Sequence, residues 1–188
     1  MALPIVAAIV LGAAVYHEVK KSHYEKVEFK RKTPKPDAKN SVLKSPSDSY
    51  ASNIKVQPKS GSIVCCGVYG VLDHTAIWID RDTIIELSNN GLVKAVSAER
   101  FLEERSGDNI FVACDHKHDP LVFNEAIDRA INSVFTYRGY DVIDNNCHRF
   151  VNYCITGQER ELTRFNSLND AIFKVSGKNI YWDKVKIY

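Results

Sequence analysis

The sequence predicts an α+β fold in which a mostly antiparallel sheet packs against helices, and three observations predict it. Short runs rich in Val, Ile, Thr and Trp, separated by turn signals, fill residues 61–114. Val122, Ala126, Ile127, Ala130, Ile131, Val134 and Phe135 then recur at helical spacing. A second apolar periodicity, Phe150, Val151, Cys154 and Ile155, opens directly after the turn-forming run Asp144-Asn145-Asn146.

The elements follow in order. Gly61 to Cys66 reads as a first strand and His74 to Ile79 as a second. Asp80-Arg81-Asp82 is a turn, and Thr83 to Leu87 is a third strand. Ser88-Asn89-Asn90-Gly91 is another turn signal, followed by a short strand over Leu92–Val96. Ser97 caps a helical turn through Leu102, and Asn109–Cys114 is a further strand. One amphipathic helix covers the 122–135 periodicity. The next starts at Cys147 with Asn146 as its N-cap. A short helix over Leu168–Val175, capped by Ser167 or Asn166, and a last strand from Ile180 complete the domain.

The ends of the chain differ in character. Residues 1–16 carry no charged side chain, and Leu3 to Leu11 is strongly apolar. As a helix this stretch reaches roughly 24 Å at about 1.5 Å per residue, a short membrane span that Val15, Tyr16 and Val19 extend. Residues 1–19 are therefore expected to anchor the chain in a membrane. The positive charge follows the apolar run at Lys20, Lys21, Lys26, Lys30, Arg31 and Lys32, which orients the rest toward the cytoplasm. A cleavable signal ending near Gly12-Ala13-Ala14 is the alternative. Residues 20–58, with Pro34, Pro36, Pro46 and Pro58 among Lys and Ser, read as a basic linker. The globular part spans 59–188.

Charge excludes one class of partner. Residues 17–60 carry a net +6 and residues 61–188 a net −4, so the domain presents no basic face for nucleic acid. The five cysteines are odd in number and form no Cys-x-x-Cys pair, which fits a reducing compartment. Cys114, His116 and His118 share a face if extended and form a competing metal cluster. Asp119-Pro120 marks a loop there, and neither a metal nor an organic cofactor is assigned.

The chemistry rests on three residues. A thiol in the first turn of a helix feels the positive end of the helix dipole, so Cys147 is the candidate nucleophile. His74 at the mouth of a strand is the candidate base. Glu86 lies on the next strand, directly opposite His74 if the hairpin folds about Asp80 and diagonal to it if the turn centres on Arg81. From either position a carboxylate can hold the imidazole, as the third member of a triad does. Asn145 and Asn146 supply turn chemistry beside the thiol.

Gly61-Ser62-Ile63-Val64, His74-Thr75-Ala76-Ile77-Trp78, Ile85-Glu86-Leu87 and Asn146-Cys147-His148-Arg149-Phe150 together resemble the lecithin:retinol acyltransferase-like domain, a permuted relative of the NlpC-type papain-like peptidases. The resemblance implies a permuted papain-like fold, a Cys147 nucleophile, a His74 base and an orienting Glu86. It departs from the family at Glu86, usually histidine, at Ser62, usually aspartate, and at His148-Arg149, usually Glu-His. It implies acyl transfer or hydrolysis through an acyl-thioester, with a lipid ester such as a phospholipid as substrate. A cell-wall peptide amidase of the unpermuted kind and a non-catalytic anchored module are the alternatives.

Overall fold

The computed structural model describes residues 14–19, 21–22, 25, 31, 54–68, 72–103, 105–141 and 146–187. Residues 1–13 of the expected anchor, residues 32–53 of the expected linker and Asn145 lie outside them. Residues 14–19 are helical, and among the described residues no helix is long and apolar enough to cross a membrane.

A seven-stranded sheet organises the chain. Its strands are β1 (Lys55–Val56), β2 (Ser62–Val68), β3 (Leu72–Asp80), β4 (Thr83–Leu87), β5 (Val93–Val96), β6 (Ile110–Cys114) and β7 (Tyr181–Val185). The spatial order is β1-β7-β6-β2-β3-β4-β5, with every pairing antiparallel except β1 with β7. The α+β expectation therefore holds. The helices are α1 (Ala98–Leu102), α2 (Asn124–Ser133), α3 (Cys147–Thr156) and α4 (Phe165–Ser176).

Side chains alternate across the sheet and build two cores. Ile63, Cys65, Ile77, Ile85 and Leu87 face α2, α3 and α4, joining Ala126, Phe150, Val151 and Ile172. Val64, Cys66, Ala76, Trp78 and Ile84 face the other way, joining Ala98 and Phe101 of α1. Fully buried strands explain why β2 and β6 read as continuous apolar runs.

Three elements differ from the sequence reading. β1 falls inside the expected linker, because its two residues pair only with β7 at the far end of the chain. Helix α4 starts at Phe165, earlier than a Ser or Asn cap would place it. Its N-cap is Arg164, which makes no side-chain cap bond. Arg31 is not a solvated linker residue. Its guanidinium bonds both carboxylate oxygens of Asp183 at 2.9 and 2.7 Å, donates to the Asp115 and His116 carbonyls, and covers the Tyr181 ring. Asp183 shares the face of Val185 and Cys114, so Arg31 caps the same side of the sheet as α1.

Candidate active site

The helix start at Cys147 is built as its residues dictate. Asn146 is extended, and its side-chain oxygen accepts from the His148 and Arg149 amides. Gly157 ends α3 in the left-handed conformation at φ 71°, which needs no Cβ clearance. Phe150, Val151, Cys154 and Ile155 bury one face of α3 and fix the helix against the sheet. Cys147 thereby sits at the helix start with 4% of its surface exposed.

The hairpin β3–β4 supplies the imidazole and the carboxylate. The pairing Ile77↔Ile85 and Trp78↔Ile84, with a bulge before Asp80↔Thr83, centres the turn beyond Asp80. Extended along the strands, that register sets Glu86 opposite Ala76 and diagonal to His74. The diagonal is still bridged: His74 Nε2 lies 2.7 Å from Glu86 Oε2. The ring of His74 leans on Phe101 of α1.

Burial alone would raise the carboxyl of Glu86, but the hydrogen bond and charge of His74 and the charge of Arg105 outweigh it and hold it at about 2. An ionised carboxylate only accepts, so Nε2 of His74 carries the proton and Nδ1 is the nitrogen left for sulfur. Burial also pushes the Cys147 thiol up and His74 down. Their mutual charge and hydrogen bond, with His148 on the sulfur and Glu86 on the imidazole, reverse both. The thiol is held well below its ordinary value and the imidazole above it, which favours a thiolate–imidazolium pair.

Four side chains that the sequence reading did not assign surround these groups. His148 Nδ1 lies 3.8 Å from Cys147 Sγ and 3.0 Å from Thr75 Oγ1, with its ring edge against Phe165. Thr75 and His74 are successive residues of β3 on opposite faces, so one strand steadies both imidazoles. Arg105 Nη2 lies 2.7 Å from Glu86 Oε2, over the Phe101 ring and bonded to the Phe101 carbonyl. Lys94 Nζ stands 3.4 Å from the other Glu86 oxygen. Glu86 thus faces three cationic or cation-capable groups while only 1% exposed, as a buried carboxylate requires. His148 was visible in the sequence beside the nucleophile. Arg105 carried no signal, since its run Glu103-Glu104-Arg105-Ser106-Gly107 reads as a turn.

Among the described residues no three His, Cys, Asp or Glu side chains are grouped to hold a metal ion. Cys114 is buried beside Asp183, His118 Nδ1 bonds Asp183 at 3.1 Å, and His116 offers its carbonyl to Arg31. These groups serve the arginine.

The other four thiols are pushed upward, foremost by burial, Cys66 and Cys154 to about 12. Iodoacetamide at neutral pH is therefore expected to modify Cys147 alone. Its thiolate persists as pH falls below 9.0, so the alkylation rate should plateau well below that value, and His148→Gln should shift the acid limb upward. Peptide mapping across pH checks both. An acid limb in the ordinary thiol range contradicts the charge reading of the site.

A buried thiol at a helix start, with an imidazole and a carboxylate beside it, is the grouping that thiol-based acyl transfer needs. The family model of lecithin retinol acyltransferase matches residues 56–160, more than half of the 188 residues, and the chain belongs to that family. Activity in the family is in general acyl transfer or hydrolysis, on lipid substrates. No curated protein matches the chain.

Proposed function

We propose that the protein is a cysteine-nucleophile acyltransferase or hydrolase acting through an acyl-thioester on a lipid ester such as a phospholipid. The observation that carries this reading is a buried thiol held as a thiolate by the charge and hydrogen bonding of His148 and of His74, an imidazole whose Nε2 lies 2.7 Å from an ionised Glu86. In it Cys147 is the nucleophile, His74 the proton carrier and Glu86 the group that orients His74.

The Cys147 thiolate attacks the ester carbonyl and forms the carbon–sulfur bond. The His74 imidazolium gives its proton to the leaving alkoxide as the carbon–oxygen bond breaks. The neutral imidazole then takes the proton of an incoming water, alcohol or amine. That nucleophile attacks the thioester carbon, and the thiolate departs. The Asn146 cap engages the His148 and Arg149 amides, so the Cys147 amide is the helix-start donor for the oxyanion. His148, bonded to Thr75, stabilises the thiolate as a second positive or polar neighbour.

The chain order His74, Glu86, Cys147 supports the permuted papain-like topology within residues 59–188. The uncharged run at 1–16 and the basic run after it support a single-pass anchor over 1–19 and a cytoplasmic domain. Incubation with phospholipid followed by peptide mass spectrometry is expected to find the acyl group on Cys147. An adduct on any other residue, or none, removes the reading.

A further inference from the structure

The end of α2 breaks two local rules at once. Helices α3 and α4 finish on Gly157 at φ 71° and Gly177 at φ 66°, where glycine bears the left-handed conformation without strain. Just past the end of α2 the same conformation falls on Phe135, at φ 65°. A bulky residue there is strained, and its ring is 82% exposed to water. The backbone around it is held by Phe135 N–H to the Val93 carbonyl and Val93 N–H to the Thr136 carbonyl. Ile131, one turn earlier, and Tyr137, 73% exposed, extend the patch. A sequence that keeps a strained backbone and an apolar ring in water at one residue marks a surface with a use beyond folding.

Beside this patch lies a groove of about 520 Å³ with Tyr137, Arg138, Arg149, Tyr153 and Glu159 in its walls. Arg138 Nη1 is 2.7 Å from Glu159 Oε1, and Arg149 Nε is 3.6 Å from Glu159 Oε2. Arg138 also lies 4.2 Å over the Tyr153 ring. Two guanidinium groups thus share one half-exposed carboxylate between two tyrosines.

We propose that Phe135, Ile131 and Tyr137 with this groove form a docking surface for a bilayer of zwitterionic phospholipid. Phe135 and Ile131 enter the acyl boundary, and Tyr137 sits at headgroup level, where amphipathic rings collect. The guanidinium pair meets the lipid phosphate, while Glu159 and the tyrosine faces meet the ammonium. The groove itself carries both signs, two guanidinium groups and one carboxylate, which matches a headgroup of both signs. Arg149 stands two residues after Cys147 in α3, so the groove adjoins the helix that carries the nucleophile, but the surface stands on its own observations. Only its effect on turnover rests on the function proposed above.

The test uses the full chain and the variant Phe135→Trp. Trp78 and Trp182 are buried and give a constant background. The emission that F135W adds is expected to be quenched by phosphatidylcholine vesicles brominated in the acyl chains. Added emission no more quenched than the wild-type background, or a chain that does not sediment with the vesicles, overturns the proposal. Galactolipid vesicles, which lack phosphate and ammonium, should quench less, and equal quenching on both overturns the headgroup assignment. Phe135→Gly removes strain and ring together. Its urea midpoint should rise, while turnover of a vesicle-borne ester falls about tenfold, the worth of one interfacial aromatic ring, and that of a soluble short-chain ester is unchanged. Unchanged turnover on vesicles counts against the surface. A wild-type chain inactive on both esters counts against the catalytic reading, and the quenching then decides the surface alone.

Discussion

Cys147→Ala is expected to abolish turnover, and His74→Ala to lower kcat/KM roughly 10³–10⁴-fold. The two residues act as a unit. In the proposed mechanism the imidazole maintains the thiolate, protonates the leaving group and deprotonates the acceptor, so its removal should weaken every chemical step. For the same reason the effects do not add. A His74→Ala, Glu86→Gln double variant should be little worse than His74→Ala alone, because Glu86 acts only through the ring it holds. Glu86→Gln by itself keeps an acceptor for Nε2–H but loses the charge that sustains the imidazolium. It also leaves Arg105, 2.7 Å away, with a neutral partner. Its loss should be smaller than that of His74→Ala and should grow with pH, since the imidazolium then deprotonates earlier. Steady-state kinetics across pH on one ester separates these cases. A His74→Ala variant retaining more than about a tenth of wild-type activity would remove the ring from the chemistry, since general acid–base groups are worth far more than that.

Much of this site was legible because its signals are local. The strand Thr83–Leu87 is bounded by turn chemistry on both sides, and its structural limits coincide with those read from the sequence. The start of α3 was legible because Asn146 is a cap residue ahead of a helical periodicity. What escaped depends on distant partners. Lys55–Val56 becomes a strand only because β7 offers an edge. The turn of the β3–β4 hairpin carries a bulge, and no composition rule distinguishes a turn about Asp80 from one about Arg81. Glu86 survives that ambiguity because both registers leave it on the face of His74 and its side chain spans a diagonal. Arg105 escaped for a different reason. Its role is conferred by a carboxylate that arrives from β4, and a charge in a turn looks solvated until that partner is in place.

Arg31 is the extreme case of the same blindness, and Arg31→Ala is expected to cost about 3–5 kcal/mol of stability. The side chains of the pair are 4% and 1% exposed, and the partners are 152 residues apart in sequence. Such a pair adds little net stability when intact, because desolvation consumes most of its attraction. Breaking it strands a charge. Without Arg31, the Asp183 carboxylate is left with His118 at 3.1 Å and the neutral Cys114 thiol among the described residues, and the carbonyls of Asp115 and His116 lose this donor. Replacing both partners with apolar residues, Arg31→Met with Asp183→Leu, should recover most of the loss, since a well-packed apolar pair needs no desolvation. Urea unfolding of wild type and the two variants decides it. If the single variant unfolds within about 1 kcal/mol of wild type at neutral pH, the arm does not depend on this contact. If it loses the full amount, Arg31, ahead of the family domain, is part of its fold, held to the sheet face that also carries His74 and Glu86.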